Sequence, residues 1–188
     1  AMVSAMLRPD VFGGFATHAG DALFEASYLP EFRDAARALR EYGGSYERFR
    51  ADFRSRPPLS KSTDDALLNM WCMAACYSAD ADGTVRLPFD PDTGRLIPDV
   101  WDRWLAWDPV RMVEGHADAL RSMRAIWVDA GRRDEYFLDL GAEAFRRELD
   151  RAGVRDVFFE LFDATHRAIE YRYPMSLAFL AERMTKEP

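Results

Sequence analysis

The sequence AIWVDAGRRD, residues 125–134, decides the fold, because an apolar run ends there directly in a polar loop that carries an acid. An amphipathic helix pattern follows and ends at Gly153. A second apolar run, residues 157–162, then leads into a short polar loop that carries His166. The order strand, loop, helix, strand, loop predicts two parallel strands whose carboxyl ends bring Asp134 and His166 to one edge of a sheet. The separation of the two residues is about what one crossover helix and one strand require.

The segment between the two runs has the clearest helical pattern of the chain. The charged residues of the predicted helix over residues 134–152 lie on its outward face. Its apolar stripe, which predicts packing against the sheet, consists of Phe137, Leu140, Ala144, Phe145 and Leu149. Asp134 begins this segment, so its carboxylate is a candidate helix N-cap as well as a candidate catalytic acid, and the two roles are compatible.

The composition of the 188 residues is that of an ordinary globular protein, with 48% hydrophobic and 30% charged residues. A chain of this length predicts one domain, or one large part of one. The net charge of −7 and the lack of a Lys/Arg-rich run argue against nucleic acid and anionic membranes as partners. The longest apolar stretch, Met70–Tyr77, is far shorter than the ~18 residues of a membrane helix, and no signal-peptide pattern opens the sequence.

The only two cysteines, Cys72 and Cys76, lie four residues apart on one helical pattern. A helix places such a pair poorly for a disulfide, so the pattern predicts two buried thiols. We therefore expect a reducing, cytoplasmic setting.

The middle of the chain, about residues 27–100, has mainly helical patterns. Residues 66–77 are apolar nearly all round, which predicts burial on more than one side of the helix. This helix either lies under the rest of the fold or forms a lid or subunit contact. Trp101, Trp104 and Trp107 stand at helical spacing and are either core aromatics or an aromatic wall beside a pocket.

No pattern in the sequence predicts a metal site. The acidic stretches 80–83 and 90–94 resemble calcium loops but lack the EF-hand order, so we interpret them as turns that bound a small irregular hairpin. Three isolated histidines without a Cys/His cluster do not form a zinc site. His116, at the start of a short helix, has no assigned role.

Three further side chains near the predicted sheet edge have competing interpretations. Glu135 is the fallback for the catalytic acid. Asp129, near the end of its strand, is a weaker candidate acid that could instead pair with an arginine. His18 ends the first predicted strand and either lines the pocket or is a structural histidine with both ring nitrogens bonded.

Residues 126–134, followed by helix, strand and Thr165-His166-Arg167, resemble the carboxyl-terminal half of an α/β-hydrolase. Within that fold the chain is similar to the esterase family that includes enterochelin-esterase-like and S-formylglutathione-hydrolase-like proteins. Residues 169–174, IEYRYP, resemble one branch of it, and residues 1–2 and 8–13 resemble the segment that follows the nucleophile elbow. The similarity covers the first ~20 residues and residues ~105–184, and it makes the middle of the chain a helical insertion in a single α/β-hydrolase domain, residues 1–188.

The sequence departs from this family because it contains no Gly-x-Ser-x-Gly. The resemblance implies that the nucleophilic serine and the oxyanion-hole amides precede Ala1, the serine by about six residues. Only three good core strands are predicted, and a three-stranded parallel sheet would leave a long apolar edge unpaired. We therefore expect a mostly parallel α/β-hydrolase-like sheet, flanked by helices, that is incomplete without an upstream segment.

The resemblance implies a serine-type ester hydrolase in which His166 is the general base and Asp134 orients its imidazole. The implied substrate is a small ester or thioester, hydrolysed through an acyl-enzyme without metal or cofactor. The implied partner is the missing N-terminal segment of the same hydrolase; a homodimer is compatible with the sequence but not indicated by it. The alternative is a catalytically inactive binding or scaffold module that has kept the hydrolase carboxyl half.

Overall fold

The computed structural model describes residues 1–185 and divides the chain into two compact units. The first unit consists of residues 1–27 and the chain from Trp107 onward, and the second is Tyr28–Ala106. The second unit occupies the stretch that the sequence assigns to a helical insertion at about 27–100. The α-helices are α1 Met2–Leu7, α2 Phe24–Leu39, α3 Tyr46–Arg54, α4 Asp64–Ser78, α5 Pro98–Leu105, α6 Pro109–Met112, α7 Ala117–Arg121, α8 Leu138–Arg151 and α9 Arg172–Thr185.

The first unit is built on a three-stranded parallel sheet in the order β1-β2-β3, with β1 Gly14–His18, β2 Ala125–Gly131 and β3 Val157–Phe162. β2 is the central strand and every one of its residues is buried. Such burial on both faces explains why its sequence, apart from Asp129, is apolar rather than alternating. In the register of the sheet, Asp129 stands beside His18 on one side and Glu160 on the other.

Helices cover both faces of this sheet, which makes the unit an α/β structure. On one face α8 packs against β1 and β2, with Phe145 beside Phe15 at a ring-centroid distance of 6.4 Å. On the other face lies α9, whose Phe179 packs edge-on against Trp127 and Phe158, two rings that stack on each other at 3.6 Å. The strand-helix-strand order β2-α8-β3 therefore forms the parallel crossover that the sequence predicts.

Helix α8 begins later than the predicted start at residue 134, so the prediction that Asp134 is its N-cap is wrong. The N-cap is Phe137, whose left-handed backbone (φ 60°) ends a turn formed by residues 134–137. The Asp134 carboxylate stabilises that turn instead, because Oδ1 accepts a hydrogen bond from the backbone N–H of Tyr136 at 2.9 Å. Two members of the predicted apolar stripe, Phe137 and Leu140, are each 45% exposed.

The second unit is helical and its core is aromatic. Phe32 stacks on Phe89 and meets Trp101 and Trp104 edge-on, with ring centroids 5.3 to 5.5 Å apart. Trp101 and Trp104 are therefore core residues, whereas Trp107, which lies in the first unit, is 42% exposed.

Helix α4 is buried on one face only, so the prediction of burial on more than one side is wrong. Its buried apolar residues, Leu67, Met70 and Ala74, recur at the spacing of a single helical face. Cys72 and Cys76 lie off this face and are exposed free thiols, which corrects the expectation that they are buried.

The two acidic stretches form separate turns in the second unit. Asp82 accepts a hydrogen bond from the Thr84 backbone N–H, and Asp90 accepts from those of Asp92 and Thr93. Each turn is closed by its own isolated antiparallel bridge rather than by one shared hairpin. Within residues 1–185, no helix has the length and apolar character needed to cross a lipid bilayer.

Candidate active site

The loops that follow β2 and β3 are bonded to each other at the carboxyl edge of the sheet. The backbone N–H of Arg132 donates to the carbonyl oxygen of Phe162 at 2.9 Å, and that of Arg133 donates to the carbonyl oxygen of Ala164 at 3.0 Å. These bonds continue the strand pairing beyond the sheet. They fix the loop that carries Asp134 against the loop that carries His166.

Gly131, the last residue of β2, permits this close approach. A Cβ atom built on Gly131 would lie 2.5 Å from the carbonyl oxygens of both Ala164 and Thr165. Backbone atoms cannot yield as a flexible side chain can, so any larger residue would displace the loop. The glycine therefore determines how near the His166 loop can come to Asp134.

Asp134 and His166 form a hydrogen-bonded pair. His166 Nδ1 lies 3.0 Å from Asp134 Oδ2, while Asp134 Oδ1 is taken by the Tyr136 backbone N–H. The side chain of Asp134 is fully buried and that of His166 is 36% exposed. A buried carboxylate that accepts from Nδ1–H fixes the proton on Nδ1 and leaves Nε2 as the basic nitrogen.

The other ring nitrogen of His166 is free to act. Among residues 1–185, no group forms a hydrogen bond to Nε2. The ring of Tyr136 packs edge-on against the imidazole, with centroids 5.1 Å apart, and limits its rotation. The imidazole is thus held from one side while its basic nitrogen stays available, which is the arrangement a general base requires.

Glu135 holds the backbone at this site rather than the imidazole. Its Oε2 accepts a hydrogen bond from the backbone N–H of His166 at 2.9 Å. This bond is the main reason why the pKa of Glu135 is lowered. The carboxylate therefore remains ionised and tethers the His166 loop, so the geometry favours Asp134 over Glu135 as the partner of the ring.

A second histidine network lies between the sheet and α9. Asp129, which is 1% exposed, has Oδ1 at 2.7 Å from His18 Nδ1. Its Oδ2 accepts from Arg172 Nε at 2.8 Å and from Trp127 Nε1 at 2.7 Å. Arg172 also bonds to Glu160. Asp129 thus pairs with an arginine, the alternative that the sequence left open.

The same network contains a serine in hydrogen-bond contact with the histidine. His18 Nε2 lies 2.9 Å from Ser176 Oγ, so Ser176, His18 and Asp129 have the connectivity of a catalytic triad. Ser176 is, however, 2% exposed, and its hydroxyl donates to the carbonyl oxygen of Tyr173 at 3.1 Å. A substrate carbonyl cannot reach an oxygen buried in this way. Both nitrogens of His18 are bonded, which makes it a structural histidine.

Sequence patterns could not reveal this second network as a unit. Ser176 and Arg172 lie on α9, far along the chain from His18, and no local periodicity relates them. The only sequence signal is Arg172 within the segment IEYRYP. His116 bonds through Nδ1 to the carbonyl oxygen of Met112, a local contact that indicates no chemistry.

Within the part of the chain that the structure describes, no three or more His, Cys, Asp or Glu side chains are grouped to hold a metal ion. A scan against protein-family models finds no match for this chain, and neither does a search of the curated proteins.

Proposed function

We propose that this chain is the acid-and-base portion of a serine-type carboxylic ester hydrolase of the α/β-hydrolase type. The observation that carries the proposal is the contact of 3.0 Å between buried Asp134 and His166 Nδ1, with Nε2 unoccupied at the carboxyl edge of a parallel sheet. Open α/β sheets bind and transform their ligands at this edge. In the proposed enzyme the nucleophilic serine and the oxyanion-hole amides precede Ala1.

The proposed reaction has two steps and needs only side chains and water. His166 Nε2 takes the proton of the serine hydroxyl while the serine oxygen attacks the carbonyl carbon of a small ester or thioester. The imidazolium then gives that proton to the departing alkoxide or thiolate, which leaves an acyl-enzyme. In the second step His166 takes a proton from a water molecule as the water oxygen attacks the acyl carbon, and it then returns that proton to the serine oxygen as the acid is released.

Asp134 contributes to both steps because its negative charge stabilises the imidazolium that forms in each of them. Its carboxylate lies against Nδ1–H in a position without solvent contact, where the attraction is weakened little by water. Glu135 and Tyr136 keep the loop and ring in place. The proposed reaction needs no metal or cofactor. We also propose a cytoplasmic setting, where the free thiols Cys72 and Cys76 would stay reduced.

One observation favours a second candidate, a catalytically inactive binding or scaffold module. Within residues 1–185, His166 Nε2 meets no hydroxyl or thiol, and the serine that does contact a histidine, Ser176, is buried. In such a module the Asp134–His166 bond would only connect two loops.

Fluorophosphonate labelling distinguishes the two candidates. The labelled material is the polypeptide isolated from its natural source. The hydrolase predicts a labelled serine upstream of Ala1, located by mass spectrometry of proteolytic fragments. Asp134→Asn should lower kcat for p-nitrophenyl acetate by about 10⁴-fold, because the amide no longer holds the proton on Nδ1. Asp163→Asn, at an exposed position in the His166 loop, is the matched control and should retain activity. Absence of label, or full turnover by Asp134→Asn, would reject the hydrolase.

A further inference from the structure

Strand β3 lies at one edge of the sheet, and within residues 1–185 no strand pairs with its outer side. The carbonyl oxygen of Phe162 accepts a hydrogen bond from the backbone N–H of Arg132, so the backbone of Phe162 points toward β2. Successive residues of a strand direct their N–H and C=O groups alternately to the two sides. The N–H and C=O groups of Val157, Phe159 and Leu161 therefore point away from β2.

Two of these six outward groups already have hydrogen-bond partners. The N–H of Val157 donates to the carbonyl oxygen of Arg155 at 3.0 Å, and the carbonyl oxygen of Leu161 accepts from Nε of Arg132 at 2.8 Å. The other four are the N–H and C=O of Phe159, the N–H of Leu161 and the C=O of Val157, and no group of residues 1–185 bonds to them. The edge thus offers two free donors and two free acceptors.

The four free groups are complementary to those of a second copy. In an antiparallel pair with a two-fold axis through Phe159, the N–H of each Phe159 donates to the Phe159 carbonyl oxygen of the other copy. The N–H of each Leu161 then donates to the Val157 carbonyl oxygen of the other copy. All the free groups of both copies are bonded in this register. A two-fold axis through Phe158 or Glu160 would form only two hydrogen bonds among these groups.

The charged residues at the two ends of β3 fit the same register. Arg155 and Asp163 are exposed and lie four residues on either side of Phe159, so each arginine stands opposite the aspartate of the other copy. Opposite charges that face each other across an antiparallel pair stabilise it. Asp163 also contacts Arg133 at 2.8 Å, whereas Arg155 forms no ion pair within residues 1–185.

The apolar side chains of the edge also meet in this register. Val157, Phe159 and Leu161 are only partly buried. Val157 faces Leu161 of the other copy, and the two Phe159 side chains face each other on the same side of the sheet. The strand contains neither proline nor lysine, the residues that prevent pairing at many sheet edges, and its one charged residue, Glu160, bonds to Arg172.

We propose that β3 pairs with β3 of a second copy of this chain. The pairing is antiparallel and symmetric about Phe159, and it joins the three-stranded sheets of both copies into one sheet. The contact is narrow, so we expect weak association with a dissociation constant on the order of 100 µM. The chain is then monomeric at the low concentrations of unfolding and labelling experiments. The dimer does not depend on the proposed ester hydrolysis, because none of the pairing groups takes part in that chemistry.

Sedimentation equilibrium of the 188-residue chain, at concentrations around the expected dissociation constant, tests the proposal. Arg155→Asp or Asp163→Arg alone places like charges opposite each other at both ends of the pair and should weaken the dimer about tenfold. The double variant restores opposite charges and should recover most of the affinity. Arg37→Asp, at an exposed position of the second unit, is the matched control for net charge and should dimerise like the unchanged chain. Circular dichroism verifies that each variant is folded.

Cysteine crosslinking tests the register, in a chain that carries Cys72→Ser and Cys76→Ser. Phe159→Cys places two thiols on directly opposite residues, whose Cα atoms would lie about 5.5 Å apart, within the range of a disulfide. Val157→Cys is the matched control, because its two copies would be four residues out of register and about 13 Å apart. Mild oxidation should therefore crosslink Phe159→Cys and leave Val157→Cys monomeric.

Three results would overturn the proposal. The first is a chain that stays monomeric over the whole concentration range. The second is a double charge variant that dimerises no better than the single variants, or an Arg37→Asp control that is weakened as much as they are. The third is a Val157→Cys variant that crosslinks as readily as Phe159→Cys, which would indicate another contact between the copies.

Discussion

Replacement of Gly131 by alanine tests how the site is assembled, because the change adds one methyl group where two loops meet. The new Cβ would lie 2.5 Å from the carbonyl oxygens of Ala164 and Thr165. Real Cβ contacts below 3.0 Å essentially never occur, and ordinary contacts begin at 3.4 Å. The loop after β3 must therefore move away by about 0.5 to 0.9 Å.

This displacement reaches His166 through a short and well-bonded segment. The Ala164 carbonyl oxygen accepts from the Arg133 backbone N–H at 3.0 Å, so a shift of this size would stretch that bond beyond the usual range. The contact of 3.0 Å between His166 and Asp134 would lengthen as well. We expect the strain to lower the free energy of unfolding by about 1 to 3 kcal/mol, as overpacking does elsewhere. In an active hydrolase, a displacement near 1 Å would cost about 10²-fold in rate.

Two measurements check this expectation without an assay of activity. Urea unfolding gives the free energy, and side-chain ¹H–¹⁵N NMR reports the tautomer and hydrogen bonding of each imidazole. The spectra are simple because the chain has 3 histidines. We expect the His166 signals to move and those of His18 to stay, since His18 is held by Asp129 and Ser176.

Gly115→Ala is the matched control for this substitution. A Cβ on Gly115 would meet no atom within 4 Å, and its backbone is not left-handed. This variant should be unchanged or more stable by up to about 1 kcal/mol, through the lower entropy of the unfolded chain. The reasoning is wrong if the free energy of unfolding of Gly131→Ala lies within about 0.5 kcal/mol of that of the unchanged chain and the His166 NMR signals do not move. In that case, close packing against Gly131 does not set the geometry of the site.

Three further predictions concern buried polar groups, namely the Asp129 network and the Asp64 carboxylate of the second unit, which is fully buried and accepts a hydrogen bond of 2.6 Å from Arg56. Arg172→Met should lower the free energy of unfolding by about 3 to 5 kcal/mol in urea titrations, because it leaves the buried Asp129 carboxylate without its cation. Ser176→Ala should cost about 1 kcal/mol in the same assay and should leave fluorophosphonate labelling of the longer polypeptide unchanged. Arg56→Gln should lower the melting temperature at neutral pH, because it removes the hydrogen bond by which Arg56 lowers the pKa of Asp64 below its ordinary 3.8. The stabilisation from this bond is fully present above pH 3.8 and is lost as the pH falls through the lowered pKa of Asp64.

Each of these substitutions has a control on the same residue type. Arg155→Met and Ser122→Ala change exposed positions and should leave the unfolding free energy nearly unchanged. Arg37→Gln removes an exposed pair of 3.9 Å and should show no pH-dependent difference. If Arg172→Met is as stable as its control, Asp129 is not held by the arginine. If Ser176→Ala loses the label, the buried triad is the reactive one. A pH-independent effect of Arg56→Gln would contradict the ionic origin of its stabilisation.

The sequence predicts the parts of this unit that depend on neighbouring residues along the chain. The apolar runs at 125–128 and 157–162 lie in strands β2 and β3. The polar residues after them meet at one edge, because consecutive parallel strands joined by one helix place their carboxyl ends together. The helical pattern does not reveal the start of α8, because the turn at residues 134–137 uses the left-handed backbone of Phe137. The exposure of Cys72 depends on which face of α4 the rest of the fold covers, and an all-round apolar sequence leaves that undetermined.

The two histidine networks differ in how many of their polar atoms have hydrogen-bond partners. This difference distinguishes a structural network from the candidate catalytic one. The Asp129 carboxylate receives bonds from a histidine, an arginine and a tryptophan, and His18 uses both nitrogens. Breaking any one of these bonds leaves a buried polar group unpaired, so the network resists motion and favours a single position of α9. Asp134, by contrast, binds one imidazole whose second nitrogen stays available. The two networks also differ in access, because the His166 side chain is 36% exposed whereas Ser176 is 2% exposed. In the proposed hydrolase a substrate can therefore approach His166 but not the buried Ser176, so we expect the reaction to use His166 as its base.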